Sequence, residues 1–174
     1  MSQSEGGVMA QILIFKGTGG HSPLRNSLQE YHKLYFAHNI PDAMKVLHKK
    51  EIDLIICSVY DDSTDPFAFL KIVKQDLLSS GTPVLFFSKE RTFLASALDA
   101  TMARSALLCG ADKYLTMDSF CGARRETDAC KTCPYLGENC NYNDLRQVIE
   151  DMLRTKSLAH ISNKESVRPA VGTK

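Results

Sequence analysis

The sequence has no tryptophan, almost no net charge and no long apolar run. Lys and Arg number 21 against 20 Asp and Glu, a formal net charge of +1. This balance supplies neither the positive field that draws proteins to nucleic acid nor the acidic one that recruits cationic partners. No stretch approaches the roughly 18 apolar residues of a membrane helix. The opening residues MSQSEGGVMAQ lack the charged and apolar regions of a secretory signal. A cytoplasmic protein with no membrane contact is expected, and structural disulfides are disfavoured there. No internal repeat is evident. Against these absences stand six cysteines, four of them within residues 121–140. In a reducing compartment such a group points to metal or redox chemistry.

The 174 residues suffice for one sizeable core. Residues 1–10 read as a flexible tail, 11–156 as one domain and 157–174 as a disordered tail, polar and poor in aromatics. QILIF (11–15) is a buried strand feeding a glycine turn. PLRNSLQEYHKL carries a helical stripe at Leu24, Leu28 and Tyr31. LYFAH is a second strand. Pro41 and Asp42 open a helix, as proline suits the first turn. IDLIICSV (52–59) is a continuous apolar run, the signature of a parallel strand buried on both faces. PFAFLKIVKQDLL is helical by Phe67, Leu70, Val73 and Leu77. GTPVLFFS gives a fourth strand, 91–108 a long fourth helix, and GADKYLT a fifth strand after a glycine stop. YNDLRQVIEDMLRT closes the pattern as a fifth helix, with Asn143 as its N-cap. Five β-α repeats imply an α/β fold, a parallel sheet with helices on both faces. Ligand sites in such sheets lie beyond the carboxyl ends of the strands. The cysteine-rich stretch leaves the fifth strand at that edge.

DLIICS, TPVLFFS and GADKYLT resemble the receiver domains of two-component response regulators, over roughly residues 10–156 apart from the cysteine insertion. The resemblance implies a flavodoxin-like, five-stranded parallel sheet with the insertion between the fifth strand and the fifth helix. It also implies a phosphorylation site that this chain has largely lost. Receivers place an acidic pair after the first strand; here Lys16 and Gly17 stand there. They place a phosphoacceptor aspartate at the end of the third strand, where this chain has Ser58. Ser88 matches the hydroxyl expected after the fourth strand. Met117 stands where a lysine is expected after the fifth. Aspartyl phosphorylation needs a carboxylate nucleophile and an oxygen cage for magnesium, and this set offers neither. Asp61 and Asp62 lie three and four residues beyond Ser58 and read as a solvated turn. The resemblance is therefore to a degenerate pseudo-receiver, not an enzyme.

The insertion reads Cys121-x8-Cys130-x2-Cys133-x6-Cys140. A C-x2-C pair lets two thiolates of one tight turn meet one metal centre, and four thiolates complete the shell of tetrahedral zinc or of a [4Fe–4S] cluster. CKTCPYLGENC resembles iron–sulfur cysteine segments, in particular the C-x2-C-P-Y-L stretches in the auxiliary-cluster (SPASM) regions of radical-SAM enzymes. The radical-SAM core motif C-x3-C-x2-C is absent, so that enzymology is not implied. An iron–sulfur cluster, [4Fe–4S] by the likeness, is the leading expectation; zinc and a metal-free thiol switch are the alternatives. Ligation would supply the ordering energy that twenty residues with few apolar side chains lack. Arg124, Arg125 and Lys131 would offset thiolate charge or stand as solvated surface. Cys57 and Cys109 read as structural.

KGTGGHS (16–22) matches neither G-x-x-x-x-G-K-[ST] nor G-x-G-x-x-G, so the glycine-rich loop at 17–20 reads as a tight turn, with anion binding left open. His21 and Ser58 lack the orienting acid and oxyanion hole of a hydrolytic pair. His32, His38, His48 and His160 read as surface or partly buried residues, and Tyr114 as a packing aromatic. The expected function is a non-phosphorylated pseudo-receiver signalling module. It would sense redox state, oxygen or nitric oxide through an iron–sulfur cluster on the four cysteines. The relay would run to a protein partner through the face of the fourth helix, fifth strand and fifth helix, a face that also leaves room for a homodimer. A zinc-stabilised interaction adaptor and an electron-transfer or cluster-carrier protein are the alternatives; nucleic acid is disfavoured as a partner.

Overall fold

The computed structural model describes residues 9–15, 25, 28–59, 65–88, 93–116 and 143–165. The strands are β1 (Gln11–Phe15), β2 (Lys33–Ala37), β3 (Leu54–Ser58), β4 (Val84–Ser88) and β5 (Lys113–Thr116). The helices among the described residues are α1 (Ile40–Lys49), α2 (Pro66–Gln75), α3 (Phe93–Leu108) and α4 (Asn143–Glu165). All strand pairings are parallel, in the order β2-β1-β3-β4-β5. This is the flavodoxin-like doubly wound order. Of the first predicted helix, Arg25 and residues 28–34 are described. Arg25 and Leu28 are helical, Gln29 to Tyr31 form a turn, and Lys33 and Leu34 already belong to β2, so the helical stripe does not extend to Tyr31.

The apolar runs alternate between the two faces of the sheet. Leu13, Phe15, Ile55, Cys57, Val84 and Phe86 pack with Ala43 and Leu47 of α1, Phe69, Leu70 and Val73 of α2, and Ala106 of α3. Their neighbours Ile12, Ile14, Leu54, Ile56, Leu85 and Phe87 pack with Leu28 and with Leu145 and Ile149 of α4. Strands covered on both sides have no solvent face, which is why their sequences run apolar without alternating with polar residues.

Local signals fix the helix ends. Asn39 Oδ1 accepts from Asp42 N at 2.9 Å, capping α1, and Pro41 lies in the first turn. Asp65 Oδ1 caps α2 in the same way, accepting from Phe67 N at 2.9 Å. α3 stops at Gly110, whose φ of 102° suits glycine. Ala111 N donates to Ala106 O and Gly110 N to Leu107 O, satisfying two of the last carbonyls.

Two helix ends later in the chain also differ from the sequence reading. Leu77 continues the α2 stripe by spacing, but α2 ends at Gln75 and Leu77 is 96% exposed. The Asp76 carboxylate accepts from Leu78 N and Ser79 N, drawing those amides out of the helical ladder. α4 takes Asn143 as its first residue and runs to Glu165, into the stretch from 157 assigned to a tail. Residues 157–165 contain no proline or glycine to stop it.

Candidate functional site

The carboxyl ends of the strands form one edge of the sheet. β1 ends at Phe15, β3 at Ser58, β4 at Ser88 and β5 at Thr116. The register sets Ser58 beside Phe87 and Ser88 beside Thr116. Beneath this edge the packing is aromatic: Phe15 stacks on Phe69 at 3.9 Å, and Phe67 meets Phe86 edge-on at 5.5 Å.

Ser58, partly exposed, puts a neutral hydroxyl at the end of the central strand. Ser88 is fully buried, and its Oγ has no hydrogen-bond partner among the described residues. An unmade bond at such a site costs about 1–3 kcal/mol. Asp65 is the carboxylate whose charge is felt at Cys57, and it is engaged as the α2 cap. Cys57 is completely buried; burial first, and Asp65 second, push its thiol pKa up, so it stays protonated. A protonated core thiol is neither a nucleophile nor a ready metal ligand. Cys109 is exposed in the turn before β5, at the opposite edge of the sheet.

Cys121, Cys130, Cys133, Cys140, Lys16, Gly17, Met117, His21, Asp61, Asp62 and the loop at 17–20 lie outside the described residues. Both anchors of the cysteine-rich stretch are described. It leaves the carboxyl edge at Thr116 and rejoins the fold at Asn143, where α4 begins. α4 reaches the opposite edge at Lys156, whose Nζ donates to Ile52 O at 3.1 Å and Asp53 O at 3.3 Å. The stretch therefore departs from and returns to the edge carrying Ser58 and Ser88. Among the described residues no group of three or more His, Cys, Asp or Glu could hold a metal ion.

β5 is tied to α3 by Tyr114, whose hydroxyl donates to Asp99 Oδ1 at 2.7 Å. α3 leaves Leu98, Leu107 and Leu108 exposed. Sequence reasoning missed this bond and three other polar contacts. Asp53 Oδ2 accepts from Gln11 N at 2.9 Å, and Asp112 Oδ2 from Val84 N at 2.8 Å. Each aspartate precedes one strand and satisfies the first amide of its neighbour; that shared position before β3 and β5 was the available signal. His32, read as a surface or partly buried residue, is 5% exposed. Its side chain is covered beside Glu150 of α4.

No protein-family model matches the chain, and no curated protein matches it. Solved structures do. The adenylate cyclase from Rhodopirellula baltica matches with a TM-score of 0.64 at 13% identity, over 93% of this chain and 100% of that one. NtrX from Brucella abortus matches with a TM-score of 0.62 at 19% identity, over 96% of this chain and 31% of that one. A CheY-like response-regulator receiver domain from Methanospirillum hungatei JF-1 matches with a TM-score of 0.54 at 13% identity, over 87% of this chain and 98% of that one. At these identities the likeness is one of fold: the chain has the receiver architecture. No helix among the described residues is long and apolar enough to cross a membrane.

Proposed function

We propose that this chain is a non-enzymatic signalling module on a receiver fold, with a four-cysteine iron–sulfur site in place of aspartyl phosphorylation as its input. The observation that carries the reading is Ser58 at the carboxyl end of β3, on the edge that the cysteine-rich stretch leaves and rejoins. A serine there cannot form an acyl phosphate or give magnesium an anionic ligand. Cys121, Cys130, Cys133 and Cys140 supply four thiolates, a complete shell for a [4Fe–4S] cluster. Redox state, oxygen or nitric oxide would act on that cluster, in a cytoplasmic setting that keeps thiols reduced. The output would pass to a protein partner, or to a second copy, across α3, β5 and α4. That face is joined to the cysteine-rich stretch at Thr116 and Asn143.

The test is purification and reconstitution without oxygen, followed by absorption spectroscopy and iron and sulfide analysis. A brown protein with about four iron and four sulfide per chain is expected for a [4Fe–4S] cluster. A colourless protein holding one zinc per chain would instead make it a metal-stabilised adaptor and end the cluster reading.

A further inference from the structure

The turn after α2 is closely hydrogen-bonded, yet it leaves two leucines exposed. The Asp76 carboxylate accepts from Leu78 N at 3.2 Å, Ser79 N at 2.9 Å and Ser79 Oγ at 2.7 Å. His48 Nε2 of α1 lies 3.0 Å from Asp76 Oδ1, and Ser79 Oγ also reaches Val73 O at 3.3 Å. The Ser79 hydroxyl first, and His48 next, hold the Asp76 carboxyl below its ordinary range. Ser80 N and Thr82 N close further backbone bonds within the turn. On this frame Leu77 is 96% exposed and Leu78 74% exposed. A connection needs only polar turn chemistry. Neighbouring leucines exposed on such a turn offer an apolar contact surface.

Leu78 lines a cleft of about 780 Å³ at the amino edge of the sheet, opposite the edge that carries Ser58. Ile52 gives the cleft apolar surface; Lys49, Lys50 and Lys156 line it, together with the carboxylates of Glu51 and Asp53. The Lys156 charge is matched by Asp53 at 3.5 Å. Lys49 and Lys50, both exposed at the end of α1, have no acidic partner among the described residues. Gly81 also lines the cleft, and a Cβ built there meets nothing within 4 Å.

We propose that this cleft docks an acidic peptide segment of a partner protein, with an apolar residue against Leu78 and carboxylates on Lys49 and Lys50. The cations line a cleft with Leu78 and Ile52, which suits a peptide carrying both acidic and apolar side chains better than a flat lipid surface. The docking site lies at the amino edge, opposite the edge that the cysteine-rich stretch leaves at Thr116, and the proposal does not depend on the cluster.

The test is selection of a random peptide display library on the immobilised full chain, with vesicles containing phosphatidylserine as a parallel arm. Selected peptides combining Asp or Glu with a large apolar residue are expected. In solution they should shift the amide resonances of Lys50, Leu78 and Gly81. A Cβ at Gly81 meets nothing within 4 Å, so Gly81→Trp should project its side chain into the cleft. It and the double variant Lys49→Glu, Lys50→Glu should each weaken binding about tenfold or more, the usual loss when an interface anchor goes. The surface lysine pair keeps the test valid if the tryptophan unfolds the chain. Binding should be unchanged in Cys130→Ala, Cys133→Ala protein. Recovery of no such peptide, peptide binding indifferent to both cleft variants, or vesicle binding in its place overturns the proposal.

Discussion

His32 Nε2 lies 3.3 Å from Glu150 Oε1, and among the described residues its ring nitrogens have no well-aligned hydrogen bond. The approach is close enough for an ion pair but misaligned for donation. The imidazole is thus buried between the start of β2 and α4, with Glu150 beside it. Burial is the main cause lowering its pKa from the ordinary 6.5; Glu150 opposes this, Arg146 adds to it, and Asp53 opposes it weakly. A histidine whose folded pKa lies below its unfolded one binds fewer protons when folded. Stability therefore falls as pH drops through 6.5, and levels off below the folded pKa. Urea midpoints measured from about pH 7.5 to about pH 5.5, above the carboxylate range, should decline for the native protein. The decline should be smaller in His32→Leu. Parallel curves for the two proteins would show that His32 does not carry it.

Tyr114 to Asp99 is the polar tie between β5 and α3, at 2.7 Å. Tyr114→Phe keeps the ring against the core and removes only the hydroxyl. Loss of a hydrogen bond to a charged acceptor should cost about 1.5–3 kcal/mol in denaturant unfolding. Amides of α3 should exchange faster with solvent, while those of α1 stay unchanged. Uniform acceleration across the sheet would mean that the bond supports global stability and not the α3–β5 face.

Asp112 separates two roles of one side chain. Its Oδ2 accepts from Val84 N at 2.8 Å and from Lys74 Nζ at 3.2 Å. Asp112→Ala leaves the first amide of β4 without that acceptor and should destabilise by about 1–3 kcal/mol. Asp112→Asn retains an acceptor and loses only the half-exposed ion pair, so about 0–1 kcal/mol is expected. Equal losses in chemical denaturation would place the value in the charge and not in the amide.

The strands were legible because burial on both faces writes itself as continuous apolar sequence, as in LIICS and VLFFS. The end of α3 was legible in Gly110 because its φ favours glycine. Long-range polar contacts were not legible. Asp53 and Asp112 look like ordinary turn aspartates until the sheet brings Gln11 and Val84 to them. His32 looks like a surface residue until α4, more than a hundred positions later, covers it. Leu77 shows the converse: its spacing fits the α2 stripe, but the carboxylate of the preceding Asp76 takes the amides of Leu78 and Ser79 and ends the helix first. At the candidate site, Ser58 and Ser88 were placed correctly at the strand ends because they follow directly from the apolar runs. The burial of the Ser88 hydroxyl was not written locally, since it depends on the neighbouring strand and helices.

The two cysteines outside the insertion give the cluster proposal its control. Cys57 is walled into the core as a protonated thiol, and Cys109 sits at the far edge of the sheet from Thr116, where the insertion begins. A ligand must be a thiolate that can reach the metal. Iron and sulfide content should therefore survive Cys57→Ala and Cys109→Ala and fall in each single alanine variant of Cys121, Cys130, Cys133 and Cys140. Cys57→Ala should lower stability, because it removes a buried sulfur between Phe15 and Phe86, its register partners on β1 and β4. That loss would appear in unfolding curves and not in the iron-to-protein ratio of the folded fraction. Loss of iron in Cys109→Ala, with full iron in any one of the four insertion variants, would mean that the ligand set spans the sheet and that the insertion alone does not hold the cluster.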